Sequence, residues 1–291
     1  MCAKALPDRV DLERGPIRGR RRLSRTAAAI VLPVLTAGAG AAESGQPFVV
    51  QYSLSFLNVP VGQAQLTADL SADRYTMRLD GELTGLAGWF FQGAGRARSR
   101  GRLSASGAVP ADFSIDSRYG TMPILVHVAF DAGTVRKAEL EPAPVPKPDR
   151  VPVTAADTAG VTDPIGMLAV PVGSGPLMPS LCDRRIPVFD GAVRADLVLS
   201  RGAVVTVTTG PYRGPALDCR IRWVPVAGHR AKGSSVRRMA ENDDLHVRLA
   251  PVSGGRLLLP LTIAVGTGWG TARIDATGWG IPQAAASVSS D

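Results

Sequence analysis

The sequence predicts an all-β fold: one strongly curved antiparallel sheet, a half-barrel or β-spiral of roughly 13 strands, with one or two short helices. Three observations predict it. Apolar and polar residues alternate with period two through most of the chain beyond residue 47, as strands with one wet face require. The runs are short and are separated by Gly, Pro, Asn and Asp, the spacing of a sandwich, a barrel or a curved single sheet. Beyond an N-terminal apolar segment, residues 42–291 form a length that suits one large all-β domain or two smaller ones. Two packed β lobes are the alternative arrangement.

The elements follow in order. In "FVVQYSLSF", Phe48, Val50, Tyr52, Leu54 and Phe56 share one face, opposite Gln51, Ser53 and Ser55. The stretch from Asn58 to Gly62 turns the chain. Ala64, Leu66, Ala68 and Leu70 alternate with polar residues, and so do Tyr75, Met77, Leu79 and Leu83. These three segments read as a meander. Phe113 and Ile115 continue the pattern, then Ile124 to Phe130. Later runs are Ile186–Phe189, Ala195–Leu199, Val205–Val207, Leu217–Trp223 and Leu245–Leu249. "GGRLLLPLTIAVG" and "TARIDATGW" close the series. Gly268, Gly270, Gly278 and Gly280, around Trp269 and Trp279, read as bends and bulges.

Two places break the alternation. "TGLAGWFFQGAG", Thr84 to Gly95, is apolar without a period and holds Leu86, Trp89, Phe90 and Phe91 on a short helix or infolded loop. "VTDPIGMLAVPV" places Asp163 as an N-cap and Pro164 at the first helical position, followed by Met167 and Leu168. The Pro-rich stretch from Glu141 to Val153 is an irregular connector and a possible lobe boundary, one continuous sheet being the preferred reading.

The N-terminus reads as a secretory signal peptide over residues 1–41. Arg18, Arg20, Arg21, Arg22 and Arg25 precede an apolar stretch, and Ala39-Gly40-Ala41 is a small-residue cleavage motif, so cleavage is expected near Ala41 or Ala42. The run is short for a bilayer span of about 20 residues. The expected product is a periplasmic protein, not an integral membrane one. Residues 1–41 hold eight Lys/Arg against three Asp/Glu, so they carry +5 of the chain's net +8. The high pI therefore belongs largely to the leader, and a nucleic-acid surface is not expected.

Motifs for chemistry are sparse. His127, His229 and His246 lie on separate segments without metal-ligand spacing, and no metal or cofactor is expected. There is no G-x-S-x-G elbow and no phosphate-binding glycine loop. Asp190, Asp196, Glu241, Asp243 and Asp244 fall in turns or on polar faces, where a solvated role is expected. Beyond the leader two cysteines remain. Cys219 shares the apolar face of Leu217, Ile221 and Trp223, and an exported chain favours a structural disulfide between Cys182 and Cys219. Free buried thiols or a reactive thiol beside Arg184 and Arg185 are the alternatives.

Three features together carry a resemblance. They are the opening "YSLSFLNVPVGQAQLTADLSADRYTMRLDGELTGL", the Asp163-Pro164 element, and "IPVFDGAVRADLVLS" with its downstream "YRGPALDCRIRWVPVAGH". Over about residues 47–281 the chain resembles a bacterial exported family catalogued as domain of unknown function 3108. The resemblance implies location and fold and brings no catalytic residue.

The expected function is that of a non-enzymatic periplasmic protein supporting the cell envelope, binding a lipid or lipoprotein in an apolar concavity. Leu86, Trp89, Phe90, Phe91, Met167, Leu168 and Trp223 are its candidate wall residues. The alternative is a scaffold that docks envelope proteins through a sheet edge or the Pro-rich segment. A hydrolase without a recognisable motif is the remaining reading.

Overall fold

The computed structural model describes residues 47–71, 73–84, 93–252 and 255–281. The leader and the candidates Leu86, Trp89, Phe90 and Phe91 lie outside them. The described chain is all-β, with fourteen strands in one curved sheet that does not close. The first seven are β1 (Phe48–Phe56), β2 (Val59–Leu70), β3 (Arg74–Leu83), β4 (Gly93–Ser104), β5 (Gly107–Tyr119), β6 (Met122–Asp131) and β7 (Thr134–Glu141). The rest are β8 (Val170–Pro171), β9 (Arg184–Phe189), β10 (Arg194–Val207), β11 (Gly214–Ala227), β12 (Leu245–Pro251), β13 (Leu257–Thr267) and β14 (Gly270–Gly280). One helix, α1 (Ser234–Glu241), and three 3-10 turns interrupt them.

The sheet order is β7-β6-β5-β4-β3-β2-β1-β14-β13-β12-β11-β10-β9, with β8 pairing β13. Because β1 pairs with β14, the two halves of the chain meet in mid-sheet, and the Pro-rich connector separates no lobes. The register shows why the alternation is so regular. Phe48, Ala68, Met77, Ser99, Phe113 and Val128 are successive cross-strand partners, all buried, and form one row across six strands. A one-residue slip would send such a row to the wet face.

The free edges are β7 and β9. Exposed Arg136, Lys137 and Glu139 guard the first, and Pro187 removes a donor from the second. One short segment spans the gap. Val161 donates its N–H to the Gly133 carbonyl in the β6–β7 turn at 2.9 Å. Thr162 donates to Pro187 at 2.8 Å and accepts from Phe189 at 2.9 Å. Nearby, Gly191 has φ +105° and rests on the opposite edge, where a Cβ would stand 3.0 Å from Val126 Cγ1.

Two large cores result. The first gathers Tyr52, Tyr75, Phe113, Phe130 and Phe189 with Ile165 and Ala169. The second gathers Leu199, Leu217, Ile221, Val247 and Leu258 around the cysteines. Cys182 and Cys219 are bonded, with Cα atoms 5.6 Å apart. They are 0% and 2% exposed, which makes the pair a buried staple.

Four details differ from the sequence expectation. The first turn is Leu57–Asn58, both at positive φ, and Val59 already starts β2. β4 carries no apolar alternation: its inner positions are Gly95, Ala97, Ser99 and Gly101, and its outer ones are arginines. The runs 195–199 and 205–207 are one strand, β10, with an irregularity between Ser200 and Ala203. Asp196 is not solvated. It is 4% exposed and is held by Arg194 at 2.7 Å and Arg185 at 2.6 Å.

Candidate functional site

The Asp163-Pro164 element is the hub between the cores. Asp163 Oδ1 accepts the N–H groups of Ile165 and Gly166, both at 2.8 Å. These bonds close a local turn and are not the expected N-cap: the element is a 3-10 turn, Gly166–Leu168, whose cap residue is Ile165, without a side-chain capping bond. Asp163 Oδ2 accepts the Ser99 hydroxyl at 2.6 Å, and Ser99 in turn bonds Tyr75 at 3.0 Å. Ser99 thus stands in an apolar row because it meets a carboxylate there. Burial pushes the Asp163 carboxyl above its usual range, while the hydrogen bonds from Ser99, Gly166 and Ile165 pull the other way. Burial also pushes the Tyr75 phenol up, with the Asp163 charge adding to it.

From this hub the chain sends Ile165 and Ala169 into the first core. Leu168 also packs there, so it is not a wall of the cavity described next. Met167 points elsewhere. With Val188, Leu197, Trp223 and Val236 it lines a cavity of about 630 Å³. Leu197 and Trp223 are direct cross-strand partners and extend the second core, so the cavity is that core's open end. Its volume falls within the range of small-molecule sites, about 300–1,000 Å³. Of the expected wall residues, Met167 and Trp223 are brought together here.

The rim is polar and comes from two distant parts of the chain. Arg150 arrives on the Pro-rich connector, His229 and Arg230 follow β11, and Gly233 to Ser235 open α1. Three backbone bonds hold the connector in place, one of them from Ala231 to the Asp149 carbonyl at 2.7 Å. Val151 donates to His229 and Gly228 donates to Val151, both at 2.9 Å. Arg150 Nη1 donates to the Gly228 carbonyl at 2.5 Å. Gly228 is needed there: its φ is +79°, and a Cβ would stand 1.9 Å from the Ala192 carbonyl oxygen.

The charges on this rim differ in their partners. Arg230 pairs with Asp149 at 3.1 Å, and its hydrogen bond holds that carboxyl below the usual range. Asp190 lines the cavity too, but its Oδ1 is taken by the N–H groups of Ala192 and Val193. Arg150 has no carboxylate partner among the described residues. Its buried Nε and the buried Nδ1 of His229 also lack a hydrogen-bond partner among them. Nothing in local sequence pattern marks either residue. The pairing of Val151 with residues 228 and 229, across 77 positions or more, is what brings them together.

Two further cavities are less suited to an apolar ligand. One of about 750 Å³ lies across β1–β6 among Gln51, Gln63, Asp80, Glu82 and Arg96. The other, about 330 Å³, shares Met167 and is bordered by Arg184. The remaining histidines pair on the surface, His127 with Asp112 at 2.8 Å and His246 with Asp244 at 3.1 Å.

A family model described as "Protein of unknown function (DUF3108)" matches residues 51–277. The chain belongs to the DUF3108 family. The matched span includes every strand from β2 to β13 and all the cavity residues named above. No curated protein matches this DUF3108 chain. Among solved structures, it is similar to the crystal structure of a beta-barrel-like protein of domain of unknown function DUF1849 from Brucella abortus. The identity is 10%, over 82% of this chain and 98% of that one, with a TM-score of 0.42. Among the described residues, no helix is long and apolar enough to cross a membrane.

Proposed function

We propose that this DUF3108 chain is a non-enzymatic periplasmic protein that supports the cell envelope by holding the apolar chain of a lipid or lipoprotein. The observation that carries the reading is the cavity at the open end of the second core, walled by Met167, Val188, Leu197, Trp223 and Val236. Transfer of an acyl chain into such a space is favoured by about 25 cal/mol per Å² of apolar surface removed from water. The buried disulfide supports the periplasmic part, because such bonds persist in oxidising compartments. The guarded edges, with charge on β7 and Pro187 on β9, favour the cavity over edge-on docking of a protein partner.

The test is native mass spectrometry with dodecyl maltoside and dodecanoate below their micelle concentrations. The wild type is expected to take up one C12 molecule, and Leu197→Trp, which fills the cavity, is expected to take up none. Absence of any 1:1 complex with the wild type would overturn the reading.

A further inference from the structure

We infer that the cavity selects a single-chain amphiphile with an anionic head, a carboxylate or a phosphate, and that Arg150 is the residue that reads it. The inference rests on the proposed apolar cavity and adds the chemistry of its mouth. Three features on one rim point to an anion. Arg150 has no carboxylate partner among the described residues, and its bond to the Gly228 carbonyl uses only one of its five N–H donors. The Nε of Arg150 and the Nδ1 of His229 are buried polar atoms without a hydrogen-bond partner among the described residues, and both residues line this cavity. Such atoms are scarce in folded proteins and call for a reason. The third feature is the start of α1. Its cap, Gly233, makes no side-chain capping bond, and Gly233, Ser234 and Ser235 border the same mouth. The first N–H groups of a helix carry partial positive charge and favour an anion.

Neither acid near the rim is paired with Arg150. Asp149 is engaged by Arg230. Asp190 accepts two N–H groups of its own turn. An uncharged or cationic head would leave the Arg150 guanidinium half-buried without a counter-charge, which is costly. An anionic head meets it with charge-assisted hydrogen bonds while the tail lies along Leu197 and Trp223.

The experiment compares four C12 probes on the wild-type protein by titration calorimetry: dodecanoate, dodecyl phosphate, dodecyl maltoside and dodecyltrimethylammonium. Either anionic probe is expected to bind at least about tenfold tighter than the neutral one, the effect of one charge-assisted bond. The tighter of the two anions identifies the head as carboxylate or phosphate. Arg150→Gln is expected to lose that advantage while still binding dodecyl maltoside, and its thermal unfolding is measured alongside. Equal affinity for all heads, or preference for the cation, overturns the inference while leaving the apolar cavity standing. Failure of all four probes overturns the cavity itself. The head-group series on the wild type decides the matter even where Arg150→Gln does not fold.

Discussion

Asp163 carries more of this fold than its one short side chain suggests, and Asp163→Ala measures how much. The substitution strands three donors: the Ser99 hydroxyl and the N–H groups of Ile165 and Gly166. Tyr75 loses its anchored partner as well. Each buried donor left unmet costs about 1–3 kcal/mol. Three of them set the loss at roughly 3–9 kcal/mol, a large share of the ~5–15 kcal/mol that holds a domain together. Asp163→Asn separates hydrogen bonding from charge. The amide keeps an acceptor for the two N–H groups, and the Ser99 hydroxyl can turn to accept from its NH2, so the loss should be about 1 kcal/mol. The pH dependence has a fixed sign. Burial raises the carboxyl above its unfolded value of about 3.9, so the folded chain binds this proton more tightly. The resulting stabilisation is complete below the unfolded pKa and is lost as pH rises through the folded one. Wild type minus Asp163→Asn should therefore gain stability on acidification from neutral pH towards about 4, with a limiting slope of about 1.4 kcal/mol per pH unit. Urea unfolding followed by tryptophan fluorescence at several pH values is the assay. A loss under about 1 kcal/mol for Asp163→Ala refutes the hub. A pH-independent difference from Asp163→Asn refutes the assignment of a raised carboxyl.

Three further outcomes are expected. Cys182→Ala with Cys219→Ala, or reduction of the wild type, should lower stability by about 4 kcal/mol through loop entropy over the 37-residue separation, read from denaturant midpoints; an unchanged midpoint would show that the staple bears no weight. Asp196→Ala leaves the buried Arg194 without its counter-charge and should cost about 3–5 kcal/mol. His127→Ala, which removes an exposed partner of Asp112, should fall within about 0.5 kcal/mol, and a similar loss for both variants would contradict this ranking. Gly228→Ala should destabilise by about 1–3 kcal/mol from its positive φ alone, with the clash at the Ala192 carbonyl adding to it. It should also weaken binding of C12 probes, because the Gly228 carbonyl anchors Arg150; unimpaired folding and binding would show that the connector tolerates being moved.

How much was legible depended on what each residue packs against. Rows such as Phe48, Ala68, Met77 and Phe113 bury large apolar groups on alternate positions, so period two revealed their strands. β4 was hidden because its inner face presents Gly95, Ala97, Ser99 and Gly101, small residues that produce no hydrophobic beat. α1 was hidden because none of its residues is buried. The cysteine pairing followed from the inward phase of Cys219, and a break in the strand pattern at Asp163 from its place before Pro164, although the cap of the turn there is Ile165. The cavity was half visible. Met167 and Trp223 stood out as apolar residues near breaks in the pattern, whereas Arg150 and His229 lie in irregular segments whose meeting is decided by long-range backbone bonds. Asp196 was misjudged because a strand phase gives a side chain's direction but does not announce that Arg194 and Arg185 cover it.

An acyl chain held in the cavity as proposed would lie beside Met167, where methyl spectroscopy detects it. With 13C-methyl methionine, the five methionines beyond the leader give a simple spectrum. A fatty acid spin-labelled near its tail should bleach the Met167 methyl at one equivalent, and more strongly than the methyls of Met77, in the first core, and Met122, on β6. Leu197→Trp should abolish the effect. A Met167 signal that survives saturating ligand, or bleaching spread evenly over all five, would contradict the proposed site.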